Sequence, residues 1–450
     1  MRIFCCFCLV VFFSSGVFGE TLNLEKARAL ALANSRSLAK YELAIRSSIL
    51  DEKNQLYTML PQINAGYSAS MNFIRNWEFV NPIDTLNAGI TLSITQIIFQ
   101  GGKSFIQKAI SAIATESVRK DALGEYFNVL DAVDNAYYAV LEAAATLEAE
   151  SSTLQAAVLG FSIAEIRQAS GMINQGDFLK ALADKEAREN SHSQARRNLT
   201  MAINRFRTLT GISVMPELEP VGFDIYEDVI SYLASISDED ADLLFERFWG
   251  ILVSANPSLA KAAINNRRAE MNYTLTKRDY APTISATIFA TDNRLFATGN
   301  FNSTAESGIT IRGTIPVDFW VLNNRVERSR ISRDSAAVDF ANAHISLEQD
   351  LQNALFNLFS QAGSVLSSRR SLEYTERHFE YVMERYRLLQ SSVSDLNEAT
   401  TLFINSRNSS TRAIYSFLQS LSRLRSLCAM DDEQKMLDIL QNVVGFKQEQ

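Results

Sequence analysis

The sequence predicts a mainly α-helical chain with a β-barrel part, built of long coiled-coil helical hairpins plus four transmembrane β-strands per subunit. Three observations predict it. The chain repeats one plan twice. Two segments in each half alternate apolar and polar residues with period two, at lengths that cross a bilayer when tilted. Proline is scarce, seven in 450 residues, so long stretches can stay helical.

The composition is that of a folded chain with material for a large core: 47% hydrophobic and 21% charged. The net charge is −8 and the pI about 5.2. With no basic stripe to meet a phosphate backbone, nucleic acid is not an expected partner.

Residues 1–19 read as a signal peptide. Arg2 supplies the positive end, Ile3 to Phe13 form a short apolar run, and Val17-Phe18-Gly19 places small residues near a cleavage point. The run is shorter than the roughly 20 residues a membrane helix needs, and no other long apolar run follows. Cys5, Cys6 and Cys8 fall inside the signal, too early to sit at a lipidated cleavage point. Cys428 is then alone in the mature chain and reads as a buried, inert thiol, since one cysteine makes neither a disulfide framework nor a metal cluster.

The repeat shows in matched landmarks. Ser37-Leu38-Ala39-Lys40 returns as Ser258-Leu259-Ala260-Lys261 at an offset of 221, and Pro61, Ile63 and Ala65 return as Pro282, Ile284 and Ala286. Gly89-Ile90-Thr91-Leu92 matches Gly308-Ile309-Thr310-Ile311 at 219, and Asp177 and Ala181 match Asp395 and Ala399 at 218. The expected divisions are a first repeat over 20–211, a connector over 212–242, a second repeat over 243–430 and a loosely packed polar tail over 431–450.

In the first repeat a helix is expected from Leu24 to Leu60, stopped by Pro61. A strand over 62–74 follows, with Ile63, Ala65, Tyr67, Ala69 and Met71 on one face. A loop from Arg75 to Leu86 leads to a second strand over 87–99, and Gly101-Gly102 breaks it. The second repeat gives strands over 283–296 and 307–319, joined by a loop from Leu295 to Glu306, then a helix from Asn324 to beyond Leu389. Four strands cannot close a barrel. An open sheet in lipid would leave unpaired backbone groups costing several kcal/mol each, so other subunits must complete it.

From Lys103 to about Ser170 nothing stops a helix roughly 100 Å long. Apolar residues step by four and three through Tyr126, Leu130, Val133, Tyr137, Val140, Ala144 and Leu147, then Leu154, Val158 and Phe161. In the second repeat Leu351, Leu355, Leu358, Ala362 and Val365 do the same, which is a coiled-coil seam. The chain reverses at Gly171 to Gly176, with Asp177 placed to cap the returning helix, and again at Gln390 to Ser394 before Asp395.

Taken in order, these features resemble the TolC-like outer-membrane efflux protein family over nearly the whole mature chain. The resemblance rests on Leu60-Pro61-Gln62-Ile63, on Phe99-Gln100-Gly101-Gly102-Lys103, and on the paired tips from Gly171 to Ala181 and from Ser391 to Leu402. It implies a homotrimer whose strands form a twelve-stranded barrel in outer-membrane lipid, with a periplasmic α-helical tunnel narrowed at its tips. The tips (Gly171, Gly176, Asp177, Ser391, Ser394) would face a periplasmic adaptor, or membrane fusion, protein that links to an inner-membrane transporter. The matching constriction positions are Asp395 and Glu398, on one helix face, with Tyr386 in the network that holds the tip shut. The family's latch arginine falls on Ser391, which departs from the pattern.

Other signals are set aside. Gly101-Gly102-Lys103-Ser104 resembles the end of a phosphate-binding loop, but Ile97 stands where that motif needs glycine. His192, His344 and His378 have no partner at ligand spacing, so no metal is expected. Asp131 and Asp134 share a helix face and read as solvated charge. No residues carry an enzyme reading, and no cofactor is implied. The expected function is a passive exit duct of a tripartite efflux system. Type I protein secretion keeps the fold with another cargo, and a periplasmic coiled-coil structural or adhesin protein is the rival of another class.

Overall fold

The computed structural model describes residues 21–74, 83–297, 300–388 and 390–445. The expected signal peptide and most of the loop expected over 75–86 lie outside these residues. The chain divides into two compact units.

One unit, Ala39–Gly124 with Pro257–Leu347, carries the sheet. Among the described residues four antiparallel strands, β1 (Gln62–Ile74), β2 (Ile83–Phe99), β3 (Thr283–Ala297) and β4 (Asn300–Thr314), pair in chain order, so within these residues β1 and β4 each have one unpaired edge. Residues opposite one another in an antiparallel pair share a face. One row therefore reads Ile63, Ile94, Ile288, Ile309, and the next row, on the other face, reads Gln62, Thr95, Thr287, Thr310. The apolar row is exposed. On the polar face, hydroxyl pairs bridge β2 and β3 at Thr95–Thr287, 3.1 Å, and Thr91–Thr291, 3.3 Å. A register shift between Ile97 and Phe99 ends the alternation of β2.

The strands run 13, 17, 15 and 15 residues, longer than the roughly ten a tilted strand needs to cross a bilayer. The segment from Leu295 to Glu306, expected as a loop, is strand throughout its described residues, because the alternation continues through Phe296 and Phe301, whose rings lie 4.9 Å apart. β4 ends at Thr314 rather than 319: Pro316 breaks the ladder, and the next helix already begins at Phe319. Gly101 and Gly102 both take positive φ, and a Cβ on Gly101 would lie 2.4 Å from the Ala281 methyl. A tight strand-to-helix turn accounts for these glycines without any phosphate.

The other unit comprises Met1–Leu38, Glu125–Asn256 and Glu348–Gln450. The α-helices among the described residues are α1 (Leu24–Asn34), α2 (Arg36–Tyr57), α3 (Lys103–Ala169), α4 (Gln175–Thr210), α5 (Glu227–Ala234), α6 (Asp238–Ala255), α7 (Pro257–Lys277), α8 (Phe319–Arg387), α9 (Val393–Leu427) and α10 (Glu433–Gly445). The helix expected from Leu24 breaks at Ser35, whose extended backbone separates α1 from α2. The expected seam holds in α8, where Leu351, Leu355, Leu358, Ala362 and Val365 are all buried. In α3 it holds from Leu130 to Val140 and then drifts. Ala144 and Val158 are exposed, while Ala149, Thr153, Ala157 and Ala164 are buried. A straight helix has 3.6 residues per turn, so a strict seven-residue seam rotates off the contact face over many turns.

Asp134, expected as solvated, has no exposed side-chain surface. It accepts from Arg28 at 2.6 and 2.9 Å, from Arg425 at 2.6 Å and from Ser422 at 2.7 Å. Arg28 also reaches Glu433 at 3.1 Å, and Tyr226 donates to the same carboxylate at 2.7 Å. The segment after 431 is accordingly no loose tail in its described part: α10 buries Met436, Leu437 and Leu440 and is tied at Glu433 to this charge cluster.

Candidate functional site: the paired helix tips

The turns after α3 and α8 bring the ends of four helices into one small core. Ala164 of α3, Ala181 of α4, Val382 and Tyr386 of α8, and Val393, Leu396 and Ala399 of α9 pack together, with Phe161, Ile173 and Phe379 against them. The alanines let the helices approach closely, and burying a side chain such as Leu396 contributes about 1.5–3 kcal/mol.

Each turn is closed by a cap pair at matched positions. α3 ends in a left-handed Gly171, φ +71°, with Met172 N–H donating to Arg167 O and Gly171 N–H to Gln168 O. At the start of α4 the cap residue is Asn174, not Asp177 as expected. Asn174 Oδ1 accepts from Asp177 N–H at 2.9 Å, and its amide donates back to the Asp177 carboxylate at 3.0 Å. α9 starts the same way: Ser392 Oγ accepts from Asp395 N–H at 3.1 Å, and Ser392 N–H donates to Asp395 Oδ2 at 2.9 Å, a full capping box. Asp177 and Asp395 are thus both third residues of their helices.

Ser391, where the resembled family has an arginine, donates to Asp395 Oδ2 at 3.0 Å. The Ser392 backbone and the two serine hydroxyls hold the Asp395 carboxyl below its ordinary value. Asp395 and Glu398 are both exposed on one side of α9, opposite buried Leu396 and Ala399. Ser394 is exposed beside them, and Gly176 is exposed in the first turn of α4. Tyr386 is not on that exposed side. It is fully buried, burial pushes its phenol up, and its hydroxyl points to Gly160 O at 3.4 Å.

Sequence reasoning missed Arg167. This arginine is 6% exposed, and no salt bridge to it is found among the described residues. Its guanidinium lies 4.3 Å over the Tyr386 ring and donates to the Tyr386 carbonyl. The signal was a cation in the last turn of α3, four residues before Gly171. The geometry is mechanical rather than chemical. It offers an exposed pair of carboxylates on a helix start, backed by a buried tyrosine clamped by an arginine. Among the described residues no group of side chains could hold a metal ion, and no helix is long and apolar enough to cross a membrane.

A family model described as outer membrane efflux protein matches residues 27–212 and 251–429. The chain belongs to that family. The outer membrane protein TolC of Escherichia coli K12 is 21% identical over 436 residues, covering 92% of this chain and 84% of TolC. TolC of Vibrio cholerae serotype O1 is 24% identical over 455 residues, covering 95% and 94%. The Campylobacter jejuni CmeC outer membrane channel superposes with a TM-score of 0.73 at 16% identity, covering 93% of this chain and 89% of that one. This likeness shows the fold. This outer membrane efflux protein is therefore a TolC-like channel protein of the outer membrane, with helical and barrel parts, and not an enzyme.

Proposed function

We propose that the chain is one subunit of a homotrimeric passive exit duct in a tripartite efflux system. The sheet carries this reading. It exposes a face of isoleucines to its surroundings, keeps hydroxyls and amides on the other, and leaves the edges of β1 and β4 unpaired. Lipid tolerates the first face but not the open edges, and further copies remove those edges by closing the sheet. Twelve strands follow from three copies. α8 supports the same reading. Ile331, Val338 and Ile345 are exposed at seven-residue spacing, and so are Tyr374 and Tyr381, with Leu388 just past the end of the helix, a pattern that a neighbouring helix in a tunnel would cover.

In this reading the tips narrow the periplasmic end. Asp395 and Glu398, repeated by the symmetry, form rings of carboxylates that attract cations and resist closing by self-repulsion. Tyr386 and Arg167 set the inward position of α8 from behind. Gly171, Gly176, Asp177, Ser391 and Ser394 form the surface offered to the periplasmic adaptor, which joins the duct to an inner-membrane transporter. That transporter supplies the energy, and this chain supplies the route.

Single-channel recording from the purified protein in a planar bilayer tests the reading. Small steady openings that grow in Asp395→Ala with Glu398→Ala are the expected result. Openings that the double substitution leaves unchanged would keep the duct and take these residues out of the gate. Absence of openings from folded, inserted protein would refute the duct.

A further inference from the structure

We propose that Arg312 is a specificity-determining residue of the duct wall: a lumen-facing cation that draws the anionic groups of cargo, carboxylate or phosphate, through the barrel. The inference rests on the duct reading.

Arg312 pairs with Ser285, and Ser285 with Ile97. Its parity places it with Thr310, Thr287 and Ser285 on the hydroxyl face, and away from the row of Ile309, Ile311 and Ile288. The hydroxyl face is the one that must meet water, because the isoleucine face meets lipid. A guanidinium there is hydrated, whereas one on the lipid face would lose its water.

Arg312 is exposed, and among the described residues no hydrogen bond or salt bridge to it is found. Its neighbours on that face are Thr283, Ser285, Thr287, Thr310 and Thr314, and none is acidic. The nearest acid on the same face of β4 is Glu306, six residues away, about 20 Å along the strand. That exceeds the Debye length of about 8 Å at physiological ionic strength, so Glu306 does not neutralise it. The paired Arg294 differs in both respects: it lies on the other face and contacts Asp292 at 3.3 Å. An arginine with no partner among the described residues, set among the hydroxyls of Thr283, Ser285, Thr287, Thr310 and Thr314, is a donor fork for a passing oxyanion. Symmetry repeats it once per copy. The sum is a ring of positive potential across the wide part of the route.

The test reads the potential where Arg312 stands, so the narrower tip does not mask it. Ser285→Cys places a thiol on the paired residue, and Cys428 is fully buried and silent. The rates of modification by an anionic and a cationic methanethiosulfonate are measured in bilayer-inserted protein, with Arg312 present, with Arg312→Gln and with Arg312→Lys. The anionic-to-cationic rate ratio is expected to fall roughly sevenfold in Arg312→Gln, because about one kT of local potential changes each rate about threefold and in opposite directions. Arg312→Lys should keep the ratio, and high salt should erase the difference. A ratio equal in all three proteins, with the thiol reacting readily with water-soluble reagents, would overturn the inference and leave the duct standing. A thiol that reacts only with a lipid-soluble reagent would reverse the faces of the sheet and overturn both.

Discussion

Arg425 donates to Asp134 at 2.6 Å in a place where the two side chains are 2% and 0% exposed. Both charges have left water, so the pair persists because Arg28, Ser422 and Glu433 complete it. Arg28 gains protons' affinity from the same geometry. Its burial alone would lower its pKa, but the hydrogen bond and charge of Asp134 outweigh that and raise it. The cluster joins α1, α3, α9 and α10.

Removing the shared acceptor should therefore be costly. Asp134→Asn leaves two arginines without their main counter-charge, and breaking a buried pair from one side costs about 3–5 kcal/mol. Glu433→Gln should cost less, since Asp134 still holds both arginines. Urea resistance of the folded protein measures the order. Equal losses would mean that α10, rather than the Asp134 centre, carries the cluster.

Cys428 should be silent to thiol reagents in the native protein. It is fully buried at the end of α9, and burial pushes its thiol up to about 12. At pH 8 almost no thiolate exists to react. Labelling with a chromogenic disulfide should give no signal until denaturant is added. Prompt labelling of native protein would show that α10 opens and exposes it.

The two glycines of the first tip should behave differently. Gly171 has φ +71° with nothing within 4 Å of an added Cβ, so Gly171→Ala pays only the left-handed backbone, about 1–2 kcal/mol. Gly176 lies inside the first turn of α4, where alanine gains about 1 kcal/mol of helix propensity. Against that gain, the new methyl would stand 3.1 Å from Asn174 Oδ1, the cap acceptor. Gly176→Ala should thus be near neutral. Hydrogen exchange of the tip amides separates the two. A larger loss at Gly176 would show that the cap cannot yield.

The strands and the helix runs were legible in the sequence because their periods are local: two for a strand, near 3.5 for the seam of α8. The capping pairs were half legible. Aspartate at a turn signals a helix start, but Asn174 and Ser392 are equally good caps, and only the backbone decides which comes first. Asp134 was misread because a carboxylate on a long helix is ordinarily solvated. Its partners lie 106 and 291 residues away, and no local period announces them. Arg167 was missed for the same reason. The drift of the α3 seam was foreseeable in principle, since seven residues are not two whole turns.

Asp395 ties the tip to pH. Its carboxyl is lowered from 3.8 by the Ser392 backbone first, then by the hydroxyls of Ser392 and Ser391, with Arg385 adding a little. A lowered folded value means that the ionised form is favoured by folding. The stabilisation is fully present above 3.8 and fades only as pH falls through the still lower folded value. Asp395 is on the surface, so the effect is local to the tip. With Glu398→Gln in place, so that Asp395 is the gate carboxylate read, channel current should stay level from pH 7 down to about 4.5 and change only under stronger acid. Asp395→Asn should show the acid behaviour at every pH, and Ser391→Ala should move the change upward toward 3.8. Three carboxylates crowded in a closed ring would do the opposite and raise one another. A current that already changes between about pH 7 and 5 would therefore show that mutual repulsion in the assembled tip, rather than the capping box, sets the charge of Asp395.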